Sequence, residues 1–132
     1  MKRLLLTGAQ GFTGHHFSKI AKAAGFAVYP LESDLTDAKS VAVEVEKIQP
    51  TYVVHLAAIS AVTHADEEAF YRVNLFGTLN LLKALEALPN QIDKILLASS
   101  ANVYGNYEGG SAAETLCPRP VNHYAMSKLA MP

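Results

Sequence analysis

Strand-like and helix-like segments alternate along this chain, which predicts an α/β fold built on a doubly wound parallel sheet. Three observations carry that reading. Short continuous apolar runs such as Leu4-Leu5-Leu6 suit strands covered on both faces. The stretches between them repeat apolar residues at helical spacing. Glycine or proline stands at most of the boundaries.

Taken in order, Lys2 to Thr7 reads as the first strand, ending at Gly8. A helix follows from Gly14, with Phe17, Ile20, Ala21 and Ala24 on its apolar face and Gly25 placed for a left-handed C-terminal cap. Phe26 to Leu31 is a second strand. The tract Asp34-Leu35-Thr36-Asp37 then offers an N-cap to a helix carrying Val41, Val45 and Ile48, closed by Pro50. Tyr52 to Ala58 is a third strand. The longest helical pattern runs from Glu67 to Leu88, with Phe70, Val73, Phe76, Leu79, Leu82 and Leu85 on one face and Pro89 as its stop. Ile95 to Ser99 gives a fourth strand, residues 105 to 120 a surface loop, and Tyr124 to Met131 the opening turns of a further helix.

A chain of 132 residues has room for one domain. Half of it is hydrophobic and 17% is charged, the composition of a packed globular domain. Eleven basic residues against twelve acidic ones leave a net charge of −1, with no basic surplus to attract nucleic acid or an anionic membrane. Any anion must be held by local geometry. The single cysteine, Cys117, cannot form an internal disulfide, and the apolar run at the N-terminus is too short for a signal peptide, so the cytoplasm is the expected compartment.

Three motifs could carry chemistry. In Thr7-Gly8-Ala9-Gln10-Gly11-Phe12-Thr13-Gly14, three glycines at intervals of three lie between a strand and a helix. Glycine lets the backbone turn sharply and approach a pyrophosphate, while the free N–H groups and the positive end of the helix dipole hold its charge. Tyr124 and Lys128 stand four residues apart, one above the other on a helix, where a cation favours the phenolate that a general acid/base needs. Ser99 and Ser100 close the fourth strand, at the carboxyl end of the sheet where open α/β folds bind ligands. Each has a plain alternative: a glycine turn, a solvated helix face, a polar strand end. His15 and His16 suit a solvated or packing role, His55, His64 and His123 lack metal-site spacing, and Cys117 has no indicated base. Tyr104 and Tyr107 are expected to pack or to line the loop.

In this order the motifs resemble the extended short-chain dehydrogenase/reductases, in particular their NAD-dependent nucleotide-sugar epimerase/dehydratase group. His55-Leu56-Ala57-Ala58 and Asn74-Leu75-Phe76-Gly77-Thr78 add to the resemblance, which covers essentially the whole chain. It implies a Rossmann-type domain binding NAD or NADP. Gly8, Gly11, Phe12 and Gly14 would wrap the pyrophosphate, Asp34 and Leu35 would lie against the adenine, and Leu56, Ala57 and Ala58 would border the cofactor. Tyr124 would be the general acid/base, Lys128 would bind the nicotinamide ribose and favour the tyrosinate, and Ser100 would orient the sugar hydroxyl or ketone. The implied reaction is hydride exchange at a sugar carbon, usually C4.

Two departures narrow the expectation. The group's dehydratases have an acidic pair or a glutamate just after the catalytic Ser/Thr, where this chain has Ala101 and Asn102, so epimerisation or keto-sugar reduction is favoured over dehydration. The second strand closes without an Asp, Glu or Arg beside a cofactor ribose, Glu32 being the nearest candidate, which leaves NAD and NADP both open. Members of the family are about twice this length, so the reading takes the chain as the cofactor-binding half, with the sugar-nucleotide domain absent, the fourth strand at an open edge and the fragment inactive alone. A homodimer is possible for such a protein. The competing reading is a dinucleotide-binding module without catalysis; a classical short-chain dehydrogenase acting on steroids or small alcohols fits the loop spacing less well.

Overall fold

A computed structural model describes residues 1–61 and 65–132. His64 therefore lies outside the described residues. Four parallel strands form one sheet in the order β2-β1-β3-β4: β1 is Arg3–Thr7, β2 Ala27–Pro30, β3 Tyr52–His55 and β4 Lys94–Leu97. Leu5 pairs with Tyr29 on one side and Val53 on the other, and Val53 pairs with Ile95.

Successive residues of a strand point to opposite faces, so Leu4 and Leu6 serve one layer and Leu5 the other. The first layer is closed by α1 (Phe12–Ala23), whose Ala21 and Phe17 pack with Leu4, Leu6 and Val54. The second is closed by α2 (Ala38–Ile48) and α4 (Thr78–Glu86), where Val41, Val45, Leu81 and Leu85 meet Leu5 and Val53. Helices on both faces of a parallel sheet are the doubly wound α/β arrangement that the sequence predicts.

The local signals act where they stand. Gly25 takes φ +88 after α1, a left-handed conformation glycine adopts without strain. Asp37 caps α2 by accepting from Ser40 N. Ile20, expected on the apolar face of α1, is 68% exposed instead, because the sheet contacts only the stripe through Phe17 and Ala21.

The long helix differs most from expectation. It opens as a single α-turn, α3 (Glu67–Ala69), continues as a π-helix over Phe70–Gly77 and returns to α-geometry in α4. Its inner face is Phe70, Asn74, Gly77, Thr78, Leu81 and Leu85, while Phe76, expected inward, is 56% exposed. The reason is polar: Asn74 and Thr78 are fully buried because they have hydrogen-bond partners there, and apolar spacing does not register them. A 3₁₀ turn (Ala101–Tyr104) and α5 (His123–Leu129), capped by Asn122, complete the chain. The β4 edge carries Ile95 and Leu96 partly exposed. Among the described residues no helix is long and apolar enough to cross a membrane.

Candidate active site

A cleft of about 590 Å³ opens at the carboxyl ends of the strands. Gly8, Gly11, Phe12, Thr13 and Gly14 form one wall, Leu56 to Ser60 another, and Val73, Ala98, Ser99, Tyr124 and Lys128 close it. Its size and position suit a cofactor in an open α/β sheet.

The glycine loop is built for close approach. A Cβ on Gly14 would lie 1.9 Å from the Gly8 carbonyl oxygen, and one on Gly8 would lie 2.8 Å from Ala57 N, so these two glycines let the loop fold onto itself and onto β3. At Gly11 a Cβ would meet only the Gly8 oxygen, at 3.4 Å. Gly11 is also the N-cap of α1, with no side chain capping the helix and no acidic residue in its first turn. The first helical N–H groups and the dipole are thus left for an external anion, and a pyrophosphate fits these requirements.

Behind this wall runs a buried polar chain. Thr7 Oγ1 accepts from the N–H groups of Leu56 (3.1 Å) and Ala57 (3.0 Å), so its own proton goes to His55 Nδ1 at 2.6 Å. His55 is thereby held as the Nε2–H tautomer, donating to Thr78 Oγ1 at 2.8 Å, and Thr78 donates to the Asn74 carbonyl at 2.7 Å. The Asn74 side chain accepts from Ile59 N (2.9 Å) and donates to Ile59 O (3.1 Å) and Ser127 Oγ (3.0 Å). Ser127 in turn donates to the Tyr124 carbonyl at 2.8 Å. Burial, with the neighbouring Lys128 charge adding to it, lowers the His55 pKa from 6.5 to about 4.

Tyr124 and Lys128 lie one turn apart on α5 and face the same cleft. Tyr124 is 9% exposed and packs on Phe70, ring centroids 6.2 Å apart. Lys128 is 4% exposed, its ammonium reaching Met131 Sδ at 3.8 Å, and burial pulls its pKa below the ordinary value. A phenol and a buried ammonium beside an anion cradle can move a proton next to a bound dinucleotide.

The cleft therefore brings together Gly8, Gly11, Phe12, Gly14, Leu56, Ala57, Ala58, Tyr124 and Lys128. Ser100 immediately follows the lining residues Ala98 and Ser99, as the N-cap of the 3₁₀ turn. Asp34 and Leu35 are not among the lining residues: Asp34 is exposed and bonds Thr36, and the Leu35 side chain sits in the core against Gly77. Glu32 is exposed, its N–H held at 2.8 Å by Glu44 Oε1. Spacing along the chain gives no sign of the linking roles of Thr7, His55, Asn74 and Ser127, whose partners lie far away in sequence.

The sequence model of the NAD-dependent epimerase/dehydratase family matches residues 4–132. Over 98% of its length the chain is 37% identical to a GDP-6-deoxy-D-talose 4-dehydrogenase of Aggregatibacter actinomycetemcomitans, covering 46% of that protein. Among solved structures it resembles RMD from Pseudomonas aeruginosa complexed with NADPH, with a TM-score of 0.85, 36% identity, and coverage of 98% of this chain and 47% of that one. It also resembles the Thermus thermophilus UDP-glucose 4-epimerase in complex with NAD, with a TM-score of 0.87, 33% identity, and coverage of 97% and 48%. The chain spans about half the length of the curated relatives it matches.

Proposed function

This chain belongs to the NAD-dependent epimerase/dehydratase family, and on that premise we propose that it forms the cofactor-binding half and the proton-transfer centre of a nucleotide-sugar 4-epimerase or 4-keto-sugar reductase. The observation that carries the reading is that Tyr124 and Lys128 line the same cleft as the glycine loop. A catalytic pair with no cofactor wall, or a glycine turn with no acid/base, would support only the plain alternatives.

A bound nicotinamide dinucleotide, NAD or NADP, supplies the hydride acceptor or donor. The N-terminus of α1 and the Gly8–Gly14 loop would hold its pyrophosphate, Leu56 to Ala58 would border it, and Lys128, which lines the same cleft, would hold the nicotinamide ribose. Tyr124 takes the proton of the sugar hydroxyl when that carbon is oxidised and returns it on reduction. Ser100 donates a hydrogen bond to the same sugar oxygen. Ala101 and Asn102 put no carboxylate beside Ser100, which supports epimerisation or reduction over elimination of water.

The test is a calorimetric titration of the chain with NAD⁺, NADH, NADP⁺ and NADPH, beside Gly11→Asp, which puts a carboxylate into the phosphate cradle. Micromolar binding lost in the variant is the expected result; a folded wild-type chain that binds none of the four refutes the reading. Turnover is measured with a nucleotide 4-keto-sugar, on the chain alone and joined to the C-terminal half of the talose dehydrogenase relative. The non-catalytic module predicts binding without turnover in either form.

A further inference from the structure

The 3₁₀ turn after β4 fixes more than the position of Ser100. Ser100 Oγ accepts the backbone N–H of Asn102 at 3.1 Å and also the Asn102 side-chain amide Nδ2 at 3.2 Å. A serine oxygen has two lone pairs and one proton. With both lone pairs taken by residue 102, the hydroxyl can act towards a third group only as a donor.

The turn that presents these donors is held from outside itself. Val103 is buried, and its carbonyl accepts from Arg119 N at 2.9 Å. Gly105 takes φ +66 with the Arg119 carbonyl pressed against its Cα, where a Cβ would come within 2.0 Å of that oxygen. The backbone on which Asn102 stands is therefore kept in place by the loop, and its exposed side chain turns back onto Ser100 Oγ.

From this we infer that Asn102 is a positioning residue, which makes the Ser100 hydroxyl an obligate donor to the oxygen of the substrate carbon that is oxidised or reduced. The inference rests on the catalytic reading above and deepens it. A ketone oxygen only accepts hydrogen bonds, and as the C=O bond is reduced its π pair settles on that oxygen, which takes the Tyr124 proton while Ser100 keeps its own. A donor that cannot turn round is matched to that developing negative charge and needs no reorganisation when it forms. A serine with a free lone pair could instead accept from a sugar hydroxyl and so leave the reacting oxygen without its donor. The Asn102 amide thus keeps the hydroxyl turned towards that oxygen in the direction that stabilises it.

The substitution that isolates the idea is Asn102→Asp. It keeps size and shape but replaces the donating NH₂ with an acceptor, which captures the Ser100 proton and takes it from the substrate. Asn102→Ala merely vacates one lone pair. In ¹⁵N-labelled chain, Ser100→Ala is expected to move the Asn102 backbone amide proton and one of its side-chain amide protons upfield; if neither moves, the inference falls. In turnover of a nucleotide 4-keto-sugar, in the two forms described above, kcat is expected to drop about 100-fold in Asn102→Asp and less than 10-fold in Asn102→Ala, with cofactor Kd unchanged. In a Ser100→Ala background Asn102→Asp is expected to cost nothing further, since the group it acts through is gone. Equal losses in the two Asn102 variants, or losses additive with Ser100→Ala, overturn the inference. If the wild-type protein turns nothing over while the amide shifts hold, the catalytic reading falls and the polarity of the hydroxyl stands.

Discussion

Protonating His55 should cost this fold measurable stability in a defined pH window. The imidazole is 1% exposed, accepts the Thr7 proton at Nδ1 and donates from Nε2 to Thr78. An added proton must sit on Nδ1, where it faces a threonine oxygen whose lone pairs already accept two backbone N–H groups. It also brings a second cation near Lys128, and the folded pKa falls from 6.5 to about 4. A base whose folded pKa is depressed contributes its full stability above the unfolded value and loses it as pH falls from there through the folded one. Between pH 8 and pH 5 that is a loss of about 2 kcal/mol, approaching about 3 kcal/mol below pH 4, since a tenfold change in proton affinity corresponds to about 1.4 kcal/mol. Urea unfolding at pH 8 and pH 5 measures it. His55→Gln removes the titrating group and should unfold more easily at pH 8 while losing about 2 kcal/mol less than wild type over the same interval. An NMR titration giving His55 a folded pKa above 6, or a wild-type pH dependence unchanged by His55→Gln, would refute the reasoning.

Other substitutions probe the rest of the site. Gly14→Ala sets a methyl group 1.9 Å from the Gly8 oxygen, so the glycine loop must open; cofactor affinity by calorimetry should fall more than 100-fold, and near-wild-type binding would show that the loop relaxes without cost. Lys128→Met removes a buried ammonium that reaches a thioether, so the melting temperature should rise by a few degrees, corresponding to roughly 1–2 kcal/mol, while turnover is lost. A melting temperature that falls would mean that the ammonium is better solvated in the fold than its burial indicates. Asn74→Leu strands both backbone polar groups of Ile59 and one bond to Ser127, for a loss of about 2–4 kcal/mol in denaturant titration. An unchanged midpoint would show that these groups find other partners.

What the sequence disclosed, and what it withheld, divides by the range of the signals involved. Leu4-Leu5-Leu6 announces a strand buried on both faces, and the loop from Gly8 to Gly14 announces a strand-to-helix turn, because cause and effect lie within a few residues. Tyr124 and Lys128 are a pair as soon as a helix is granted, four residues being one turn. The long helix departs from expectation for the opposite reason. Its inner face includes Asn74 and Thr78, which are tolerated there only because Ile59, Ser127 and His55 arrive from 15, 53 and 23 residues away. An unpartnered polar group in that position would cost kilocalories, so a reading confined to one segment rightly prefers Phe76 inward. Leu35 shows the same limit: the expectation that it lies against an adenine did not reveal that its side chain packs in the core, close against Gly77 of the π-helix, where an added Cβ would come within 3.0 Å of it.

These long-range partners share a consequence. Thr7, His55, Thr78, Asn74 and Ser127 are each unremarkable in sequence, yet together they join the end of β1, the end of β3, the π-helix and α5. Those are the elements that carry the two halves of the proposed site, the phosphate loop and the Tyr124/Lys128 pair. The chain of bonds is also closed: among the described residues, Asn90 Oδ1, remote from it in sequence, is the buried side-chain polar atom that has no partner. A buried polar network that satisfies every member fixes one relative placement of its elements, since a shift of any of them strands a donor or an acceptor. Apolar packing alone tolerates such shifts at smaller cost. The polar chain therefore belongs to the proposed site although none of its hydroxyls needs to touch a ligand, because it sets how far the Tyr124/Lys128 pair stands from the glycine loop.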